Sequence, residues 1–69
     1  MLVRCYSGNE YADRPLSFYW EGTWREVEMI LAQWRLPEGK LFQVRDTQKR
    51  LFQLRYDQIR EDWEINPLG

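Results

Sequence analysis

An all-β fold is predicted for this chain, a small antiparallel barrel or curled meander of five to six strands. Three observations carry the prediction. Leu41-Phe42-Gln43-Val44-Arg45 and Leu51-Phe52-Gln53-Leu54-Arg55 are near copies ten residues apart, as in two strands of one hairpin. Large rings are abundant, eleven in 69 residues and four of them Trp, and they fall in short runs of strand-favouring composition. Turn-forming residues punctuate these runs at short intervals.

The first apolar run, residues 2–6, ends at Ser7-Gly8-Asn9, a turn signal because Gly and Asn tolerate positive φ. The polar stretch from Asn9 to Pro15 reads as an irregular connection. Residues 16–20 then hold three aromatics in five positions, a strand composition, and Glu21-Gly22 supplies a tight two-residue hairpin turn. That register places Tyr19 opposite Trp24, an aromatic pair that contributes roughly 0.5–1.5 kcal/mol beyond burial.

Residues 23–36 support two readings. Val27, Ile30, Leu31 and Trp34 stand at i, i+3, i+4 and i+7, one helical stripe, and Thr23 with Glu26 matches a capping box. On this local evidence a helix over residues 23–35 is favoured, giving an α+β alternative. The strand reading uses the alternation of Val27, Met29 and Leu31, with a bulge to bring Trp34 inward. Either element closes at Leu36-Pro37-Glu38-Gly39, since Pro37 cannot continue it.

In the hairpin of the two near copies, a loop of Thr47, Gln48 and Lys49 sets Val44 opposite Phe52 and Phe42 opposite Leu54 on an inner face. Gln43, Arg45, Gln53 and Arg55 then share the outer face with Leu41 and Leu51. Such a loop ordinarily ends in Gly, a place filled here by Lys49. Residues 57–60 are the next turn. A last strand over residues 60–65 carries Trp63 and Ile65 in alternation and ends at Asn66-Pro67.

Length allows one domain over residues 1–69, and a chain this short buries only about 60% of its unfolded surface. Ten basic and eleven acidic residues leave a net charge of -1, which argues against a polybasic nucleic-acid tail and an acidic disordered one. The N-terminal apolar run is too short for a signal peptide, and no stretch approaches the roughly 18 apolar residues of a membrane span. A lone Cys5 fits a reducing, cytoplasmic setting.

Catalytic chemistry is poorly supplied. The chain contains no His to activate Cys5, which reads as a small strand residue packed inside. Glu26 with Glu28, or Asp57 with Glu61 and Asp62, qualify as acid–base pairs by composition only and read better as solvated edges and turns. Asp57, Glu61, Asp62 and Glu64 lack the spacing and central Gly of a calcium loop, and the four Gly residues are too scattered for a phosphate loop. No catalytic residue, metal ligand or cofactor site is expected, and the chain is read as a non-enzyme.

Binding is better supplied. Arg35, Arg45 and Arg55 stand ten apart, and with Gln43 and Gln53 they form the candidate binding surface. Arg beside Gln contacts phosphates and base edges, and an exposed ring such as Tyr56 or Trp34 stacks on unpaired bases. The net charge weighs against a dedicated nucleic-acid domain. Trp20, Trp34 and Trp63 are assigned to structure, since so small a core needs most of its rings.

The run Phe18-Tyr19-Trp20-Glu21-Gly22-Thr23-Trp24-Arg25-Glu26-Val27-Glu28-Met29-Ile30-Leu31-Ala32-Gln33-Trp34-Arg35 resembles a family of small uncharacterised bacterial proteins. The pattern is an aromatic strand, a W-x-G turn, and then Val/Ile-Leu-x-x-Trp-Arg. It continues as F-x-V-R at Phe42 to Arg45, F-x-L-x-Y-D at Phe52 to Asp57, and a closing Trp at Trp63, covering about residues 15 to 65. The resemblance implies β-rich folding and tips residues 23–35 from helix to strand. Similar segments occur beside bacterial accessory proteins of error-prone DNA repair, which implies a partner in nucleic-acid metabolism. The resulting expectation is a protein-interaction module, a monomer or weak homodimer, with single-stranded nucleic-acid binding as the alternative.

Overall fold

The computed structural model describes residues 2–6 and 14–69; the expected turn at Ser7-Gly8-Asn9 and the connection after it, up to residue 13, lie outside the described residues. Six antiparallel strands form one curled sheet, a half-barrel, with neighbours in chain order throughout. They are β1 (Val3–Tyr6), β2 (Arg14–Trp20), β3 (Thr23–Leu36), β4 (Gly39–Asp46), β5 (Leu51–Asp57) and β6 (Asp62–Leu68). Among the described residues, no helix is long and apolar enough to cross a membrane.

The helix favoured locally for residues 23–35 is a strand. β3 is twice the length of β2 and belongs to both halves of the sheet. Its start pairs with β2, from Trp20↔Thr23 to Ser17↔Glu26, and the remainder pairs with β4, from Val27↔Asp46 to Leu36↔Gly39. Two bulges interrupt the second ladder, between Val27 and Met29 and between Ile30 and Ala32. Each absorbs one residue and reverses the alternation. Val27, Ile30 and Gln33 therefore share the inner face of Asp46, Val44 and Phe42 at a spacing of three. That spacing coincides with the helical stripe at Val27 and Ile30, while the other two members of the stripe, Leu31 and Trp34, are exposed.

The bulge expected to turn Trp34 inward is thus two bulges, and they cancel. Trp34 pairs with Leu41 on the outer face and is exposed, so it is no part of the core to which it was assigned. Trp63 is buried, and Trp20 is half-buried with its ring 5.6 Å from Phe52.

Turn chemistry explains the hairpins. Glu21 and Gly22 both have positive φ, 49° and 82°, the geometry whose twist matches paired strands, and Tyr19 faces Trp24 as expected. Lys49 adopts the left-handed conformation a Gly would normally supply, with φ 69°. Asp46 compensates: its Oδ1 accepts from the amides of Gln48 at 2.9 Å and Arg50 at 2.8 Å. The expected register, Val44↔Phe52 and Phe42↔Leu54, follows. Asp57 caps the last loop by accepting from the amides of Ile59 and Arg60, so β6 starts at Asp62 and not at residue 60.

Two prolines expected to lie outside strands lie within them. Pro15 pairs with Cys5 of β1 where β2 has already parted from β3, and Pro67 lies in β6 at the rim of the sheet. Among the described residues, one side of the strand has no neighbour at each position, so a missing N–H there costs no ladder bond.

The curl brings β2 over β5, with the Phe18 and Phe52 rings 4.8 Å apart. Around them Val3, Phe42, Val44, Leu54 and Trp63 complete the core, and Cys5 and Ile30 pack against it half-buried. Each sealed side chain contributes about 1.5–3 kcal/mol of burial.

Candidate interaction surface

Antiparallel pairing sets the outer face of β3 to β6 in three rows. Met29, Arg45, Leu51 and Leu68 form one; Ala32, Gln43, Gln53 and Asn66 the next; Trp34, Leu41, Arg55 and Glu64 the third. Four of the five predicted residues, Gln43, Arg45, Gln53 and Arg55, therefore meet on one surface. Arg35 does not join them. It pairs with Lys40 and so stands on the opposite face, because even-numbered β4 residues point inward.

Large apolar side chains are exposed along one margin of this surface: Met29 at 49%, Leu31 at 44% and Trp34 at 45% on β3, with Leu51 at 38% behind. These are values for side chains that a solvated sheet would replace with polar ones. Tyr56, considered as an exposed ring, is instead half-buried and packs on Trp63 with ring centres 5.0 Å apart.

The cations differ in availability. Arg45 donates from Nε to Glu28 Oε1 at 2.9 Å, and Lys49 Nζ reaches both oxygens of Glu28 at 2.8 and 2.9 Å. The Lys49 hydrogen bonds first, then that of Arg45, hold the Glu28 carboxyl below its usual range. Arg55 is exposed, opposite Glu64 in the ladder. It opens onto a polar pocket of about 140 Å³ with Arg60, Asp57, Asp62 and Glu64. On the outer face of β1 to β3, Arg4 stacks 4.1 Å from the centre of the Trp24 ring, which meets Tyr19 edge-on at 5.5 Å. This second ring-and-Arg cluster extends the apolar, cationic character of the surface.

Three of the five carboxylates considered for acid–base work have structural employment. Glu28 clasps Arg45 and Lys49, Asp57 caps a turn, and Asp62 accepts from the amide of Trp63 at 2.8 Å. Sequence reasoning missed Asp46, which reads as the first polar residue of a loop yet is 1% exposed. Burial opposes its charge, but the Arg50 amide, the Arg25 guanidinium and the Gln48 amide outweigh burial and hold its carboxyl below the usual value. It also missed Met29 and Leu31, whose exposure depends on bulges that no local signal locates.

No family model matches the chain, and no curated protein or solved structure matches it significantly.

Proposed function

We propose that this chain is a non-enzymatic protein-interaction module that docks a partner on the outer face of β3 to β5. The observation that carries the reading is the row of exposed Met29, Leu31 and Trp34 beside Leu41, Leu51 and Arg55. An apolar centre with an aromatic and an Arg at its margin is the composition of protein interfaces. The net charge of -1 favours a protein over a polyanion.

The test is capture from native lysate by immobilised chain, with and without nuclease, against a Trp34→Ser/Arg55→Glu variant. A partner retained through nuclease treatment and lost with the variant is expected. Equal capture by both, or none by either, would reject this face.

A second reading is single-stranded nucleic-acid binding, as an accessory factor in DNA repair. It is favoured by the Gln43–Gln53 pair flanked by Arg45 and Arg55 on one face, with Trp34 available for stacking. Because Glu28 engages both Arg45 and Lys49 and offsets one of their two charges, less positive charge remains on this face for phosphates. Titration with oligonucleotides at low salt, where phosphate contacts are strongest, decides it; absence of binding there eliminates it.

A further inference from the structure

We propose that β3 is a self-pairing edge, and that two copies of this chain join antiparallel through residues 29–34 of their β3 strands. The inference goes beyond the outer-face reading and does not rest on it: it concerns the rim of β3.

Among the described residues, β3 has a neighbour on only one side beyond Glu26. β2 leaves it there, and from Val27 to Leu36 only β4 pairs with it. A cleft of about 330 Å³, walled by Arg14, Pro15 and Leu16 on one side and Val27 to Ile30 on the other, marks the parting. Beyond it, no described strand pairs with the second side of β3, an edge flanked by exposed Met29, Leu31 and Trp34. Natural edges are usually blunted by charge, Pro, a short strand or a bulge. β6 carries Pro67, whereas residues 29–34 of β3, Met-Ile-Leu-Ala-Gln-Trp, contain neither charge nor Pro, and the bulge at Leu31 is their one interruption.

The alternation imposed by the two bulges selects the occupant and its register. Met29, Ala32 and Trp34 face outward, and Ile30 and Gln33 inward. A two-fold axis between Leu31 and Ala32 sets Met29 opposite Trp34, and Ile30 opposite Gln33, of the second copy. Both pairs match in face. Shifting the pairing by one residue either way opposes outward to inward residues, which a sheet with one buried side does not accept. The matched register also brings a thioether against an indole, a favourable contact. It carries the Pro37-Glu38 tip of each copy towards the other's cleft, where Arg14 supplies an opposite charge. The chain's net charge of -1 imposes little long-range repulsion between copies.

Sedimentation velocity of the full chain across a concentration series tests the association. A concentration-dependent dimer is expected, and a monomer at every concentration up to the millimolar range would overturn it. Leu31→Lys places a cation beside the axis at a position that is exposed in one copy, so it preserves the fold by circular dichroism. It should weaken the dimer on the order of tenfold or more. A dimer unmoved by this change would place the contact elsewhere. Register is read by disulfide trapping in a Cys5→Ser background. Mixed Met29→Cys and Trp34→Cys chains should cross-link to each other, while each alone should not, because its two thiols lie about 17 Å apart along the strands. Equal cross-linking in mixed and single samples would overturn the register.

Discussion

Arg25 donates from Nη1 to Asp46 Oδ2 at 3.1 Å, joining the part of β3 that pairs with β2 to the far end of β4. The contact ties the two halves of the curled sheet together. Asp46 is 1% exposed and Arg25 17%, so the pair is withdrawn from water and each charge depends on the other. The guanidinium also lies 5.8 Å from the centre of Phe52 and 3.3 Å from Gln48 Oε1. One residue thus serves the turn, through two backbone amides, and the sheet curl, through a side chain.

Asp46→Ala should therefore cost about 2–4 kcal/mol, because it strands two amides and a half-buried guanidinium. Urea unfolding measures this, and a loss under 1 kcal/mol would show the bridge to be dispensable. The pH dependence has a definite sign. Asp46 has a folded-state pKa below its unfolded value, so its stabilisation is present above the unfolded pKa of about 4 and is lost as pH falls through the folded one. The wild-type and Asp46→Ala unfolding midpoints should converge as pH is lowered below about 4.

Gly39→Ala should be more damaging than its size suggests. An added Cβ would lie 1.8 Å from the backbone oxygen of Tyr56, and no side-chain rotation relieves a clash with backbone. Gly39 opens β4 opposite Asp57, so the strands must separate at that end. A loss of about 3 kcal/mol is expected, at the upper end for overpacking. Gly22→Ala provides the contrast. It meets nothing within 4 Å but retains a φ of 82°, and should cost only about 1 kcal/mol. Thermal unfolding of both variants ranks them; a reversed order would contradict the close approach.

Lys49→Gly separates backbone strain from ion pairing. Gly relieves a left-handed φ, which is worth about 1 kcal/mol, but it removes the Lys49 contacts to Glu28. Salt screens exposed pairs and leaves φ preferences alone. The variant should gain stability over wild type more in 1 M NaCl than at low salt. A salt-independent difference in midpoint would mean that the clasp on Glu28 contributes nothing.

Tyr19 and Trp24 should be coupled. Their rings meet edge-on at 5.5 Å, and a double-mutant cycle to Ala should return about 0.5–1.5 kcal/mol. Arg4 lies over Trp24, so repeating the cycle with Arg4→Ala should change the value. Additivity within error in both backgrounds would assign the exposed rings to something other than stability.

The parts legible in the sequence are those set by neighbours in the chain. The hairpin of the near copies, its register, the Glu21-Gly22 turn and the Tyr19–Trp24 pair depend on period-2 alternation and on turn residues, both local. The shared face of Gln43, Arg45, Gln53 and Arg55 follows from that register. Residues 23–36 were less legible, because a strand with two bulges repeats its inner residues every three positions and coincides at Val27 and Ile30 with one side of a helix.

What the sequence determined by itself is thus a set of short aromatic strands, with the pairing of the β2–β3 and β4–β5 hairpins written in their turns and alternation. Tertiary structure decided the rest. The curl that sets Phe18 on Phe52 draws β2 away from β3 and buries Asp46 beside Arg25. Paired bulges send Trp34 outward and Arg35 to the face opposite Arg45 and Arg55. The physical reason is parity: one bulge inverts every later residue of a strand and a second restores it, and how many form depends on the fit of β3 to β4, not on β3 alone.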